Sequence, residues 1–173
     1  MHPEIRLARL RDAPAIAVMS RDHIEAGLGW SWTAARVRRA IGERSTNVIV
    51  AAEGGAVRAF AIMKYLEDEA HLLLFAVTPA RRRRGLGRAL MTWLDETVRV
   101  AGIGSVQLEV RAGNLGARAF YRSLGYAEDE LLRGYYRGLE AAVRMRRSLR
   151  EAHAIDPRWA SRTLAALRAG GRT

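Results

Sequence analysis

The sequence has no cysteine, a single lysine and no apolar run approaching the ~20 residues that a membrane-spanning helix needs. Without cysteine there can be no disulfide, no thiolate metal site and no cysteine acyl-enzyme, so any group transfer has to use other side chains. Acidic residues are in the minority too. The chain has 18 Asp and Glu against 29 Lys and Arg, a formal net charge of +11, and every one of those basic residues except Lys64 is arginine. Two readings of this imbalance stay open. One is attraction to a polyanion such as nucleic acid, a ribosomal surface or a phosphorylated cofactor; the other is a bias toward arginine spread over a solvated surface. The stretch MHPEIRLARLRD scatters charges where a signal segment would carry an apolar run. A cytoplasmic location is therefore the default expectation, with no membrane partner.

What is present suits one domain. A length of 173 residues is enough to bury a core and short for two domains, and 49 % apolar with 27 % charged residues is ordinary for a globular protein. No internal repeat or low-complexity linker stands out. Residues 4–10 alternate as a half-buried strand does, and Ile16, Met19 and Ile24 mark a helix over 11–26. A second helix is predicted from an N-cap at Ser31 to Gly42. VIVAA, VRAFAIMKYL and HLLLFAV, separated by the Gly54-Gly55 turn and the acidic turn at 67–69, predict a three-strand meander.

Beyond Pro79 the period changes. Leu86, Leu90, Trp93, Leu94, Thr97 and Ala101 predict a helical stripe ending at Gly102, and SVQLEV then places Val106, Leu108 and Val110 opposite Gln107, Glu109 and Arg111. Asn114 is positioned to cap a helix carrying Ala117, Phe120, Tyr121 and Leu124, closed by Gly125. Strands around YAEDELL and AAVRMRRSL are predicted to flank a loop RGYYRG. The expected class is α/β, a mixed central sheet with helices on both faces: one domain over 1–149 and an extension over 150–173. Asp156 and Pro157 mark the extension as helical, docked on the domain or against a partner.

A strand ending at Val77, then arginines 81–84, then Gly85-Leu86-Gly87 at a helix start is the physical recipe for binding a pyrophosphate. A helix N-terminus presents free N–H groups and partial positive charge, glycines let phosphate oxygens approach the backbone, and arginines add counter-charge. In a chain this rich in arginine and glycine the bare string is weak, and its place between strand and helix carries the weight.

Residues 80–90, ARRRRGLGRAL, resemble the acyl-CoA motif of the GNAT acetyltransferases, Q/R-x-x-G-x-G/A, with Arg82, Gly85 and Gly87 at the defining positions. Independently, LEVRAGNLGARAFYRSLGY at 108–126 is similar to a segment of the ribosomal-protein alanine N-acetyltransferase branch, and RGYY at 133–136 resembles that branch's R-x-Y-Y. The resemblance covers roughly residues 4–149 and is concentrated between 60 and 136.

The resemblance implies the GNAT fold and acetyl-CoA as cosubstrate, with no metal. It implies that Phe75, Ala76 and Val77 offer backbone to the pantetheine amides, that Arg82, Arg83, Arg84, Gly85, Leu86, Gly87 and Arg88 surround the pyrophosphate, and that Asn114 bonds the pantetheine arm. Glu109 matches the family's general base and Tyr121 its general acid at the leaving sulfur. Trp30, Tyr135 and Tyr136 would flank the acceptor. Phe75 stands where the family usually has a smaller aliphatic residue, and Gly29 where a proline precedes the tryptophan. Read without the motif, Glu109 is one more acid on a solvated strand face, Tyr121 a core residue, Asn114 an N-cap, and Tyr135 and Tyr136 hairpin aromatics. His23 and His71 are isolated, lack metal-ligand spacing and read as structural. The leading expectation is acetyl transfer from acetyl-CoA to a protein N-terminal amine of the ribosomal-protein type, by direct attack in a ternary complex. Alternatives are transfer to a small amine or polyamine, and a non-catalytic CoA- or RNA-binding module. A module has no need of the Glu109 and Tyr121 pair.

Overall fold

The computed structural model describes residues 3–149, so the predicted helix from Asp156 lies outside the described residues. Strand β1 (Glu4–Leu7) leads through a single 3-10 turn into α1 (Ala13–His23), and α2 (Ala34–Gly42) follows. The meander is β2 (Thr46–Glu53), β3 (Ala56–Tyr65) and β4 (Glu69–Val77). After it come α3 (Leu86–Val100), β5 (Ser105–Arg111), α4 (Leu115–Ser123), β6 (Ala127–Tyr136) and β7 (Glu140–Ser148). One seven-stranded sheet runs in the order β1-β2-β3-β4-β5-β7-β6. The β4–β5 pair is parallel, joined by the α3 crossover, and the other pairs are antiparallel.

Each face of the sheet buries its own helices. Ala61, Met63, Leu72, Val106, Leu108 and Val110 pack with Leu90, Met91, Leu94 and Val98 of α3. On the opposite face Val48, Val50, Phe60 and Ile62 pack with Ile16 and Ala17 of α1 and Val37 of α2. The predicted α3 stripe is rotated slightly: Met91 and Val98 are fully buried, whereas Trp93 and Thr97 are half-buried at its margin. Thr97 sits there because its hydroxyl is hydrogen-bonded to the Tyr65 hydroxyl at 2.6 Å and donates to the Leu94 carbonyl at 2.7 Å.

Two boundaries also differ from expectation. The α2 cap is Thr33, whose hydroxyl accepts from Arg36 N at 3.4 Å, because Ser31 is drawn instead to Glu25. RGYY is not a loop: it forms the end of β6, and the turn into β7 is only residues 137–139.

The feature that positions the site is a slip in β4. Ile62 pairs with Leu74 and Met63 with Leu72, leaving Leu73 as an extra residue and reversing the faces beyond it. Ala70 and Leu72 join the α3 core, Leu74 and Ala76 the α1–α2 core, and Phe75 and Val77 return to the α3 side. Pairing with β5 ends at Leu72 and Leu108, so no strand covers that edge of residues 73–77.

Candidate active site

Where β4 and β5 part, a cleft of about 620 Å³ opens, walled by residues 73–75 of β4, Glu109, Val110 and Arg111 of β5, Asn114 and Tyr121. Residues 135–137 and the α1–α2 connection close it from the other side.

The donor end is built from backbone. Arg83 (φ 60°) and Gly85 (φ 80°) take left-handed conformations that turn the chain into α3, whose first-turn N–H groups have no intrahelical acceptor. A Cβ on Gly85 would meet nothing within 4 Å, so conformation selects glycine there. At Gly87 the reason is contact, since a Cβ would lie 3.3 Å from both Phe75 and Phe120, which stack with ring centroids 5.7 Å apart. The arginines divide in role. Arg81 pairs with Glu53, Arg82 Nε donates to the Val77 carbonyl at 3.0 Å and Arg88 reaches the Ser123 hydroxyl at 3.3 Å. Arg83 and Arg84 are exposed, without an ion-pair partner among the described residues. The Asn114 side chain accepts from Ala117 N at 3.1 Å, so it caps α4 while also lining the cleft.

The middle of the cleft holds the two predicted catalytic groups. The Glu109 side chain is only 6 % exposed, which rules out a merely solvated acid. Its Oε2 lies 2.6 Å from His71 Nε2, and its Oε1 accepts from Arg144 Nε at 3.0 Å, with Arg144 also bound to Glu130 at 2.9 Å. Burial would raise the carboxyl's pKa, but the hydrogen bonds and charges of His71 and Arg144 outweigh it and hold Glu109 below the ordinary carboxylate value. Tyr121 is buried among Phe75, Phe120 and Tyr126. Burial, followed by the neighbouring Tyr126 and Tyr136, pushes its phenol far above the ordinary value, so it is a protonated donor at any physiological pH.

The acceptor end is held by side chains from distant segments. Glu25 is buried and accepts four hydrogen bonds: Ser31 N at 2.7 Å, Ser31 Oγ at 2.5 Å, Trp32 N at 3.1 Å and Ser20 Oγ at 3.0 Å. Arg111 Nη2 donates to the carbonyls of Ile24 (2.8 Å) and Ala26 (2.6 Å), and its Nη1 to Glu140 at 3.0 Å, tying the α1–α2 connection to β5 and β7. Gly29, at φ 75°, is so close to Arg137 that a Cβ would stand 2.8 Å from the guanidinium, and the two loops meet there. Tyr135 and Tyr136 line the cleft as predicted, their rings edge to face at 5.0 Å. Tyr136 is pushed up to about 12, by burial first and then by Tyr135 and the charge of Glu109.

Trp30 requires a correction. Its indole donates to the Trp32 carbonyl at 3.1 Å and lies under Arg21, outside the cleft wall, where Trp32 stands instead. His71 also departs from expectation, being bonded to Glu109 and not isolated. His71, Arg144 and Glu25 carried no sequence signal, and Arg111, though inside the LEVR segment, carried none for the contacts it makes. They lie 38, 35, 6 and 85 residues from partners they bind, and no spacing rule links such positions.

Known proteins are similar to this chain in sequence and in fold. The ribosomal protein bS18-alanine N-acetyltransferase of Escherichia coli is 43 % identical over 95 residues, 55 % of this chain and 64 % of that enzyme's length. The chain thus spans just under two thirds of that relative. N-alpha-acetyltransferase RimI of Mycobacterium tuberculosis is 37 % identical over 112 residues, 61 % of this chain and 68 % of the relative. The crystal structure of the Escherichia coli ribosomal-protein-S18-alanine N-acetyltransferase superposes with a TM-score of 0.74 at 31 % identity, over 88 % of this chain and 97 % of that one. Ard1 from Thermoplasma volcanium gives a TM-score of 0.78 at 29 % identity, over 87 % and 100 %. Residues 16–126, more than half of the sequence, match the Acetyltransferase (GNAT) family, and the chain belongs to that family.

Proposed function

We propose that this protein transfers the acetyl group of acetyl-CoA to the α-amine of a protein N-terminus, both substrates being bound together. The observation that carries this reading is one cleft, at the parting of β4 and β5, with Glu109 and Tyr121 in its walls. A turn with Arg83 and Gly85 in left-handed conformation lies at one end, before α3, and an aromatic hairpin at the other. The donor end suits a phosphorylated thioester: N–H groups converge at the start of α3, Arg83 and Arg84 are exposed with no ion-pair partner among the described residues, and the open edge of β4 matches a pantetheine amide chain. Acetyl-CoA supplies an acetyl carbon activated by its bond to sulfur.

The chain's own residues do the rest. A backbone N–H of residues 75–77 steadies the developing charge on the thioester oxygen. Glu109, charged at neutral pH, takes a proton from the acceptor's ammonium, directly or through water, and frees its lone pair. The new C–N bond forms as the C–S bond breaks; the Tyr121 hydroxyl gives its proton to the departing sulfur, and the second proton shed by the acylated nitrogen passes to water, from which Tyr121 is reprotonated. An α-amine, with pKa near 8, lies closer to this weak base than a lysine near 10.4. An N-terminal amine is therefore the better match. The names of the relatives, enzymes of ribosomal-protein alanine and of N-alpha amines, point the same way.

The test is mass spectrometry of ribosomal and total proteins from cells with and without the gene. Loss of N-terminal acetylation on a defined set of proteins is expected. N-termini unchanged, with acetylation lost only from lysines or small amines, would overturn the acceptor assignment.

A further inference from the structure

His71 is the titratable group nearest to Glu109 for which the reaction above finds no use. Its strand is fixed by pairing on both sides: β3 places Lys64 across from it and β5 places Gln107 across from it, two residues before Glu109. From that position Nε2 reaches Glu109 Oε2 at 2.6 Å, a distance that requires a proton between the two atoms. Arg144 holds the other carboxylate oxygen at 3.0 Å. Both oxygens are thus anchored, one by the Arg144 guanidinium and one by an imidazole, a side chain that exists in a neutral and a protonated form.

We propose that His71 is a positioning residue of the transfer reaction: neutral, it donates Nε2–H to Glu109 and holds the carboxylate at the parting of β4 and β5; protonated, it cancels that carboxylate's charge and switches the base off. The inference rests on Glu109 as the base. Charge counting gives the sign. With His71 neutral, Glu109 and Glu130 against Arg144 leave the linked set around Glu109 with one net negative charge; with His71 protonated the set carries none. An incoming ammonium then loses both its attraction and its proton acceptor.

The other charged and titratable groups around His71 come from the elements packed about it. Glu69 precedes it by two residues on β4 and pairs with Arg146 of β7 at 3.3 Å, and Lys64 lies opposite on β3. Tyr135 of β6, its phenol raised by burial and by Glu109, stays neutral. On the α2 side, Arg36, Arg39 and Glu43 gather with Lys64 beside Leu73.

The experiment compares His71→Gln, which keeps an N–H donor at similar reach but does not titrate, with His71→Ala, which loses the donor. In both, kcat/KM for a peptide with a free N-terminus is measured from pH 5.5 to 9, beside acetyl-CoA affinity. Ionisation of the peptide's amine cancels in the ratio to wild type. Above pH 8, His71→Gln should stay within about threefold of wild type and His71→Ala should fall by about tenfold. As pH drops through the imidazole range, wild type should lose activity relative to His71→Gln by up to tenfold per unit. A purely structural His71 would change stability without separating the profiles, so superposable profiles of His71→Gln and wild type overturn the proposal even if His71→Ala does not fold. Glu109→Gln is run alongside. If it is slow while the His71 variants match wild type, this inference alone fails; if it keeps full kcat, the base assignment beneath it fails.

Discussion

On the donor side of the cleft, the parts sit within one short stretch: the open edge of β4, the arginines, and Gly85 and Gly87 at the start of α3, with backbone N–H groups as the working atoms. On the acceptor side, Glu25 and Gly29 of the α1–α2 connection, Arg111 of β5 and Arg137 of the β6–β7 turn come from three separate segments and are joined mainly through side chains. The first construction depends on local conformation and tolerates change elsewhere. The second depends on long-range contacts, so a single substitution in a supporting residue can alter acceptor recognition while leaving cofactor binding alone.

The largest effect should come from charge at the phosphate turn. Gly85→Glu or Gly87→Glu should abolish acetyl-CoA binding in calorimetric titration, since a carboxylate would confront the pyrophosphate and a side chain at Gly87 would press on the Phe75 and Phe120 rings. Unchanged affinity in either folded variant would remove the donor assignment.

Next in size, Glu109→Gln should lower kcat by ~10²-fold or more with acetyl-CoA affinity nearly constant, the usual cost of losing a general base. Tyr121→Phe should also cost rate without costing cofactor affinity. Wild-type kcat in either, with chemistry rate-limiting, would withdraw that residue's role.

How much of this could be read from the sequence follows the same division. The phosphate turn and the β5–α4 segment were legible because strand end, glycine and helix start are neighbours in the chain, and Asn114 caps α4 as its position implied. Glu109 and Tyr121 were legible through the motif around them. The His71 and Arg144 partners were not, because they reach Glu109 across strand pairings between β4, β5 and β7 that no local pattern records. Trp30 was misplaced for a related reason: four hydrogen bonds to Glu25 set the path of the α1–α2 connection, and that path turns Trp32 to the cleft. The same contacts moved the α2 cap from Ser31 to Thr33.

That contrast yields a sharper test. Glu25→Ala strands four donors, and the loosened loop should raise KM for a peptide acceptor by about tenfold while the Kd for acetyl-CoA moves less than twofold. Equal changes in both would show that the two sides are not separable.

A smaller effect concerns acid stability. The hydrogen bond from Arg6 lowers the Asp12 pKa, and for Glu25 burial is outweighed by bonds from Ser31, Trp32 and Ser20, so both are depressed in the folded state. Their stabilisation is fully present above the unfolded carboxylate pKa near 4 and is lost as pH falls through the lower folded values. Thermal midpoints should drop from about pH 4 downward, and Arg6→Met should cost about 2 kcal/mol at pH 7 and flatten that slope. An unaltered slope would remove Asp12 from the account. Smaller again, Asn114→Ala should cost about 1 kcal/mol in chemical denaturation through its cap.

The most direct test of acetyl transfer to an N-terminal amine uses the purified protein, acetyl-CoA and paired peptides beginning with Ala, Ser, Thr or Met. One member of each pair has a free N-terminus; the other is blocked there and carries an internal lysine. Polyamines are assayed beside them. Acetylation of the free N-termini, with the blocked peptides and polyamines at least tenfold slower, is the predicted result; turnover confined to lysine or to polyamines would contradict it.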